Sequence, residues 1–473
     1  MQNSPVFDPG LFTPTPARQS WRRGSVTVVE VSMELSPQVR MGVDVADPTV
    51  LSSVSVVEGA SVQVLEAVTG AGSVDAWEQW LRSGDDTSLR ALKLSGPWVR
   101  RMVVEAVRVH RRLPVDDAVL CLDEAVAEIG IDNSSAAARV IAWCVDGLDA
   151  VVDTAHAGGL PEPAAVRIEQ ALRSVADVVT GAQTRTRLHA LVEQLEERES
   201  IDEIELDAAL MRLIADHRQA SHMGLGGGGV RHSSYLVDPA AVPARILRWT
   251  DAETGEIKVA FSGDLEVGGR IDARLATMAA DPDRAEESLY AYAADATAGR
   301  ILSVTRLEPA PTDPTDGEED QRFEASLQFD FPAPTGPAQP QIVYGIFHVD
   351  TGPGRCRIDD TGVQLAEIDR LLIDCWTTHR VALATVESAR LSNRPEEPGA
   401  VSSLLERART AARLATEKLG ILADSESDDE ADELYTRAEA IDAYSAGLSA
   451  SPATAEQGPL ICEMVAAAGK EPA

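Results

Sequence analysis

Positive charge is scarce in this chain of 473 residues. Lys and Arg together number 42, against 76 Asp and Glu, so the formal net charge at pH 7 is −34. A surface with this excess of carboxylates repels the phosphates of nucleic acids and the anionic head groups of lipids. We therefore expect neither nucleic acid nor a membrane surface as a partner, and we expect any protein partner to present a basic surface.

Lysine and cysteine are also rare. Four Lys stand beside 38 Arg, a ratio that we take to be typical of a GC-rich bacterial genome. The cysteines are odd in number and form no CxxC pair; they are Cys121, Cys144, Cys356, Cys375 and Cys462. This usage favours a reducing compartment. The first 25 residues lack the apolar segment of a secretory signal, and together these observations predict a cytoplasmic protein.

Long hydrophobic runs are absent as well. The best window, around Val140–Val152, contains Asp146 and Asp149, whereas a transmembrane helix needs about 20 consecutive apolar residues. Hydrophobic residues make up 44% of the chain and charged residues 25%, as in ordinary globular proteins. At roughly 100–200 residues per domain, the length predicts two to four domains.

The first half of the chain changes from a period of two to a helical period. Residues 1–24 are proline-rich and aperiodic, which predicts a flexible arm. Residues 25–95 alternate apolar and polar side chains over three runs and predict a small β or α+β segment, in which Ser73 caps a short helix. Residues 96–220 predict an all-helical domain. Its first helix begins at Pro97, and further helices lie near 114–130, 134–155, 163–180, 184–199 and 203–219.

The second half begins with a glycine-rich linker at 221–239, because five Gly among residues 224–229 favour no regular structure. Residues 240–360 contain about seven predicted strands, including Ala244–Trp249, and predict an antiparallel β-sandwich domain. Residues 361–447 predict a C-terminal helical hairpin or bundle, with a capping box at Thr361 and Gln364 and a second helix over 400–419 that ends at Gly420. Residues 448–473 predict a weakly ordered tail, with docking of the apolar run Leu460–Val465 as the alternative. The predicted fold class is thus multidomain α+β.

Three histidines beside the linker are the candidate metal ligands. His217, His222 and His232, with Asp216, have the side-chain types that zinc prefers, and zinc needs three or four of them. Their spacing matches no established ligand pattern, so the alternative is a set of surface histidines beside a linker.

Other residues suggest weaker candidates, each with a structural alternative. The run of glycines could cradle phosphate, but phosphate loops follow a strand and precede a helix. Cys375 and His379, with Asp374, lie four residues apart on a predicted helix, where packing is the alternative to thiol chemistry. His348 and Asp350 end a central strand. The acidic run 424–433 lacks the glycine and glutamate of a calcium loop, so we interpret it as a solvated helix start.

No nucleophile elbow, zinc-protease or phosphate-loop motif occurs in the sequence. The leading hypothesis is therefore a non-enzymatic adaptor, interaction protein or regulatory subunit with no cofactor. The exposed face of 363–391 and the alanine stripe of 400–419 are the candidate surfaces, either for the partner contact or for self-association. The alternative hypothesis is a metal-dependent or hydrolytic enzyme, whose site would lie near the junction of the helical and β-sandwich domains.

Overall fold

The structure is a computed structural model, and it describes residues 18–23, 26–36, 38–57, 61–70, 72–110, 115–197, 231–235, 237–238, 241–242, 246–247, 257–262, 269–279, 285–286, 288–310, 321–331, 341–349, 356–392 and 398–468. These residues form eleven α-helices and three antiparallel sheets. The fold is mixed α+β, with helices in the N-terminal and C-terminal parts and a β-rich part between them. None of the helices in these ranges is long and apolar enough to cross a membrane.

The N-terminal sheet has four strands in the order β1-β4-β3-β2. They are β1 (Arg18–Arg22), β2 (Glu30–Ser36), β3 (Val39–Asp44) and β4 (Asp47–Val57). Strand β1 lies inside the arm predicted to be flexible, so that prediction is wrong for residues 18–22. Trp21 is 6% exposed and its indole N–H donates to Asp86. A short polar strand with one aromatic anchor has no alternating pattern from which it could be predicted.

Seven helices follow the sheet: α1 (Val62–Thr69), α2 (Val74–Ser83), α3 (Gly96–Val109), α4 (Asp117–Gly130), α5 (Ser134–His156), α6 (Glu162–Val178) and α7 (Ala182–Glu196). The last five lie where the helical period predicts them. Helix α4 begins after Asp116, whose carboxylate accepts from two backbone N–H groups of the first turn. Ser73 precedes α2 but its hydroxyl donates to the Gly70 carbonyl, so it does not cap that helix. The predicted helix over 203–219 lies outside the described residues.

The β-rich part contains β5 (Arg231–Tyr235), β6 (Ile257–Ser262), β7 (Gly269–Ala279), β8 (Leu289–Asp295), β9 (Arg300–Arg306), β10 (Glu308–Pro309), β11 (Gln321–Phe331) and β12 (Ile342–His348). One sheet has the order β10-β11-β7-β6-β5 and the other β12-β8-β9. Strand β5 lies in the range predicted to be a linker. It pairs with β6 through backbone groups, so its side chains carry no pattern that predicts a strand. Of the predicted strand Ala244–Trp249, residues 246 and 247 are described, and Leu247 bridges Ala279.

The C-terminal part contains α8 (Asp360–Leu391), α9 (Pro398–Ala423), α10 (Asp428–Gly447) and α11 (Ile461–Ala468). The capping-box prediction for α8 is wrong. Asp359 caps the helix by accepting from the Gly362 N–H at 2.6 Å, while Thr361 donates to Glu426. The prediction that α9 ends at Gly420 is also wrong, because Leu419 and Leu422 are buried and their packing favours another helical turn.

The two faces predicted for contacts with other chains are partly covered within this chain. Ala408, Ala412 and Ala415 are fully buried, on a helix that packs against α8 and α10. On α8, the exposed residues between 363 and 391 are Gln364, Arg390 and Leu391, and the others are partly or fully buried. A stripe of small residues thus lets two helices of one chain approach closely.

The segment predicted to be a weakly ordered tail contains a short 3-10 helix, Ala455–Gln457, and α11. Leu460 and Cys462 are fully buried, so this apolar segment docks and is ordered by its packing. The N-terminal sheet, helices α1–α7 and the C-terminal helices share one set of buried apolar residues, which we call the helical core. The β-rich part has a separate set, the β core.

Candidate functional site

The structure leaves the predicted metal ligands untested. Asp216, His217 and His222 lie outside the described residues. His232 lies in β5, where its backbone is paired with Ala260, and its side chain is not described. In the part of the chain that the structure describes, no group of three His, Cys, Asp or Glu is arranged to hold a metal ion.

Two further candidates are only partly visible. The glycine run 224–229 lies outside the described ranges, as does Asp350. His348 is buried at the end of β12, and its backbone N–H donates to the Ala241 carbonyl at 3.0 Å. The structure therefore shows His348 as a buried strand residue and does not test whether it meets Asp350.

Cys375 and His379 lie on α8, but they do not form a reactive pair. Burial raises the pKa of the Cys375 thiol to about 12, so the thiol stays protonated at neutral pH. The His379 Nε2–H donates to the Ser449 carbonyl at 2.8 Å, and burial lowers the pKa of this imidazole. With a backbone partner and a lowered pKa, His379 does not generate a thiolate, which favours the packing interpretation.

The acidic run begins a helix. Ser427 is the N-cap of α10, and Asp428, Asp429 and Glu430 occupy its first turn. Carboxylates are stabilising there because the helix N-terminus carries partial positive charge. This placement agrees with the helix-start interpretation of 424–433.

A buried ionic cluster lies where the β-rich part meets the helices. Asp369 accepts from the guanidinium groups of Arg357 at 2.7 Å and Arg437 at 2.6 Å. Arg357 also faces Asp238 at 3.7 Å, and Arg437 donates to the Val28 carbonyl. The cluster therefore connects residues of the β-rich part, α8, α10 and the N-terminal sheet. Buried charges that are paired in this way fix the mutual placement of elements.

A second ionic cluster joins α3 to α4. Arg101 donates to Glu105, Glu124 and Glu128 at 3.1, 2.9 and 2.7 Å, and Arg108 donates to Glu105 and Glu124. The two cations alternate with the three carboxylates, so each charge faces opposite charges. The arrangement is a helix-to-helix ionic ladder, and Glu128 also accepts from the Asn133 side chain at 2.8 Å.

The side chain of Trp143 is far more exposed than the buried tryptophans of the helical core. Trp21, Trp77, Trp80 and Trp376 are at most 6% exposed, whereas Trp143 is 85% exposed. Helix α5 buries Ile141, Cys144, Leu148 and Val152, and Trp143 lies outside that stripe. A tryptophan presents roughly 150–250 Å² of mostly apolar surface, so leaving it in water is unfavourable unless something else covers it.

The surroundings of Trp143 are small and mainly acidic. One turn further along α5, Gly147 lies so close to α4 that an added Cβ would be 3.0 Å from the Ala118 Cβ. Next to Ala118, α4 starts with the exposed residues Asp116 and Asp117, and Asp146 is exposed on α5. One turn before Trp143, Arg139 is an exposed cation. We call this set, residues 116, 117, 139, 143, 146 and 147, the Trp143 surface.

The sequence contains a signal for this surface that composition alone does not reveal. Ile141, Cys144, Leu148 and Val152 follow the helical period of a buried face, and Trp143 falls between two of its members. The helix predicted near 134–155 therefore places Trp143 outside its own apolar stripe.

No family model matches the chain, and neither the curated proteins nor the solved structures contain a significant match. The geometry of the described residues is therefore the basis for a functional proposal.

Proposed function

We propose that this protein is a non-enzymatic adaptor, interaction protein or regulatory subunit that binds a basic protein partner through the Trp143 surface. The observation that carries the proposal is the 85% exposure of Trp143 on a helix whose opposite face is fully packed. Tryptophan is enriched among the residues that dominate protein interfaces. Burying its surface provides roughly 4–6 kcal/mol at ~25 cal/mol per Å², before the losses that accompany association.

Charge determines the class of partner. The exposed carboxylates Asp116, Asp117 and Asp146 outnumber the exposed cation Arg139, and Arg187 of α7 pairs with Asp146 at 3.2 Å. The whole chain carries a net charge of −34. An acidic rim around an apolar anchor attracts a basic partner and repels a second copy of this chain. Association should therefore weaken as salt is added, since salt screens exposed charges.

The proposal includes the architecture and compartment inferred from the sequence. We take the β-rich part as a β-sandwich, because aromatic rings from its two sheets meet. The ring centroids of Phe261 and Phe329 lie 6.3 and 6.5 Å from that of Tyr344. A reducing, cytoplasmic compartment is supported by the cysteines, all five of which are thiols and not disulfides.

The test compares capture by two variants with capture by the original chain. Trp143→Ala removes the proposed anchor, and Ile421→Ala removes another exposed apolar side chain, on α9, as a matched control. Quantitative mass spectrometry of proteins captured from native extract should show one partner that is lost with Trp143→Ala and kept with Ile421→Ala. With that partner purified, we expect affinity to fall about 30-fold or more, as for an interface hot spot.

Circular dichroism should show both variants folded. The same partners captured in the same amounts by all three chains would refute a role for the Trp143 surface.

A further inference from the structure

The last part of the chain that the structure describes is held by helices far from it in sequence. Residues 457–468, which we call the C-terminal segment, comprise the end of the 3-10 helix, a short turn and α11. Helix α11 packs against α4, α6 and α8, and the 3-10 helix packs against α3. These helices form a groove, and the C-terminal segment lies in it.

Two arginines of the groove bind the backbone of the segment. Arg100 on α3 donates to the carbonyl of Gly458 at 2.7 Å and to that of Pro459 at 3.1 Å. Arg380 on α8 donates to the carbonyls of Gln457 at 2.5 Å and Gly458 at 3.0 Å. Four hydrogen bonds thus recognise main-chain oxygens and not particular side chains.

The start of α11 is recognised in the same way. Asp123 on α4 accepts from the backbone N–H groups of Ile461 at 3.0 Å and Cys462 at 2.9 Å, although it lies 338 and 339 residues away. The first N–H groups of a helix have no partner within it, and Asp123 provides one from outside. The groove therefore contains a receptor for a helix N-terminus.

One side chain of the segment is recognised by charge. Glu463 pairs with Arg380 at 2.8 and 2.5 Å, and both residues are almost completely buried. Glu463 also accepts from the Leu460 N–H at 2.7 Å. An acidic residue at this position is therefore the main sequence requirement of the groove, together with the buried apolar residues Leu460, Cys462 and Met464.

The connection to the segment is held less tightly, chiefly by the His379 ring N–H, which donates to the Ser449 carbonyl. Leu448, at the end of α10, is fixed by Arg409, which donates to its carbonyl. Between Leu448 and the C-terminal segment, the exposed residues include Ser449, Ser451, Pro452 and Ala453. The contacts that hold the segment are thus concentrated in the groove, as in a complex of a peptide with a receptor, and the exposed stretch serves as a tether.

We infer that this groove is a peptide-binding site occupied by the chain's own C-terminal segment, and that the segment exchanges with a free peptide of the same sequence. The occupant is defined by chemistry: a short apolar helix with open N–H groups at its start and a glutamate in its first turn. The inference is independent of the Trp143 surface, since it concerns other residues.

The experiment uses the full chain with a site-specific protease sequence placed within residues 449–453, where the tether is exposed. After cleavage, the fragment should remain bound during size-exclusion chromatography. A fluorescent peptide of residues 455–468, added in excess, should then replace it and raise the fluorescence anisotropy to saturation.

Peptide variants test the recognition without changing the protein. A Glu463→Gln peptide should bind about 100-fold more weakly or worse, because it leaves Arg380 without its buried partner. A Glu456→Gln peptide makes the same charge change at a partly exposed residue beside the first residue of α3. It should bind within about fivefold of the original, because an exposed carboxylate near a helix N-terminus contributes at most about 1 kcal/mol.

Three outcomes would overturn the inference. One is immediate loss of the fragment after cleavage with no binding of the free peptide. Another is a retained fragment that never exchanges, which would make the segment a fixed part of the core. The third is equal affinity for the Glu463→Gln and Glu456→Gln peptides.

Discussion

The helical core and the β core are built from different residues. The buried tryptophans Trp21, Trp77, Trp80 and Trp376 belong to the helical core, and the buried phenylalanines Phe261, Phe323, Phe329 and Phe347 belong to the β core. Around the helical core lie buried ion pairs such as Arg101–Glu128 and Arg380–Glu463. The β core combines aliphatic side chains with aromatic rings, several of which contact one another at centroid distances of 5.6 to 6.5 Å.

This difference follows from how each part is put together. In the β-rich part, backbone ladders and the alternation of side chains already fix which strands pair and in which register. The backbone groups of a helix are hydrogen-bonded within the helix. Apolar contact alone therefore leaves the packing of one helix against another loosely specified. An ion pair between two helices requires one particular placement of both side chains. We infer that the chain uses such pairs to select one arrangement of distant segments.

The largest expected effect comes from breaking one buried pair of the helical core. Arg380→Met should lower the free energy of unfolding by about 3–5 kcal/mol, because Glu463 would stay buried without its partner. Chemical denaturation followed by circular dichroism measures this change.

Arg390→Met is the matched control on the same helix. Arg390 pairs with Glu387, but its side chain is 63% exposed, so we expect a change of at most about 1 kcal/mol. Similar losses for the two variants would show that buried ion pairs contribute no more to the helical core than surface pairs do.

A smaller effect of opposite sign is expected in the β core. The Tyr344 hydroxyl is buried and has no hydrogen-bond partner among the described residues, and burial raises the pKa of this phenol well above its usual value. Tyr344→Phe keeps the ring contacts and removes the hydroxyl, so it should raise the free energy of unfolding by about 1 kcal/mol.

Tyr290→Phe serves as the control for that change. Tyr290 is only partly buried and stacks on Phe347, and its substitution should stay within about 0.5 kcal/mol of the original stability. A clear loss of stability with Tyr344→Phe would mean that its hydroxyl contributes to the β core after all.

The sequence predicts those elements whose information is local. Helices α3 to α7 follow from apolar period and first-turn residues, and β6 to β9 and β11 to β12 from alternation or apolar runs. Strands β1 and β5 were missed because backbone pairing holds them, whatever their side chains. At the start of α8, Asp359 and Thr361 both suit a cap, and only the packing of Glu426 decides between them.

The sites depend on contacts that no local pattern contains. Asp123 meets Ile461 across 338 residues and Arg380 meets Glu463 across 83, so neither pairing has a spacing that could be read. The candidates chosen from the sequence were instead residues that are conspicuous by type, such as His217, His222 and His232. Trp143 is identified as a candidate contact residue by the exposure of its side chain. That exposure can be predicted only when the buried face of α5 is known.

The smallest expected effect concerns how the free energy of unfolding depends on pH through His379, the residue of α8 that contacts the tether. Burial lowers the pKa of His379 below its ordinary value of 6.5. The unfolded chain therefore takes up a proton at this residue as pH falls through about 6.5, while the folded chain resists protonation until lower pH. The folded state binds fewer protons in this range, so the contribution of His379 to stability is present at neutral pH and is lost as pH falls.

His379→Gln removes that contribution and keeps a side-chain N–H that can donate to the Ser449 carbonyl. We expect the variant to lose less of its free energy of unfolding than the original chain between pH 7 and pH 5, as measured by denaturation at each pH. His189→Gln makes the same change on the exposed face of α7 and should follow the original curve. Parallel curves for all three proteins would show that protonation of His379 does not contribute to the pH dependence of stability.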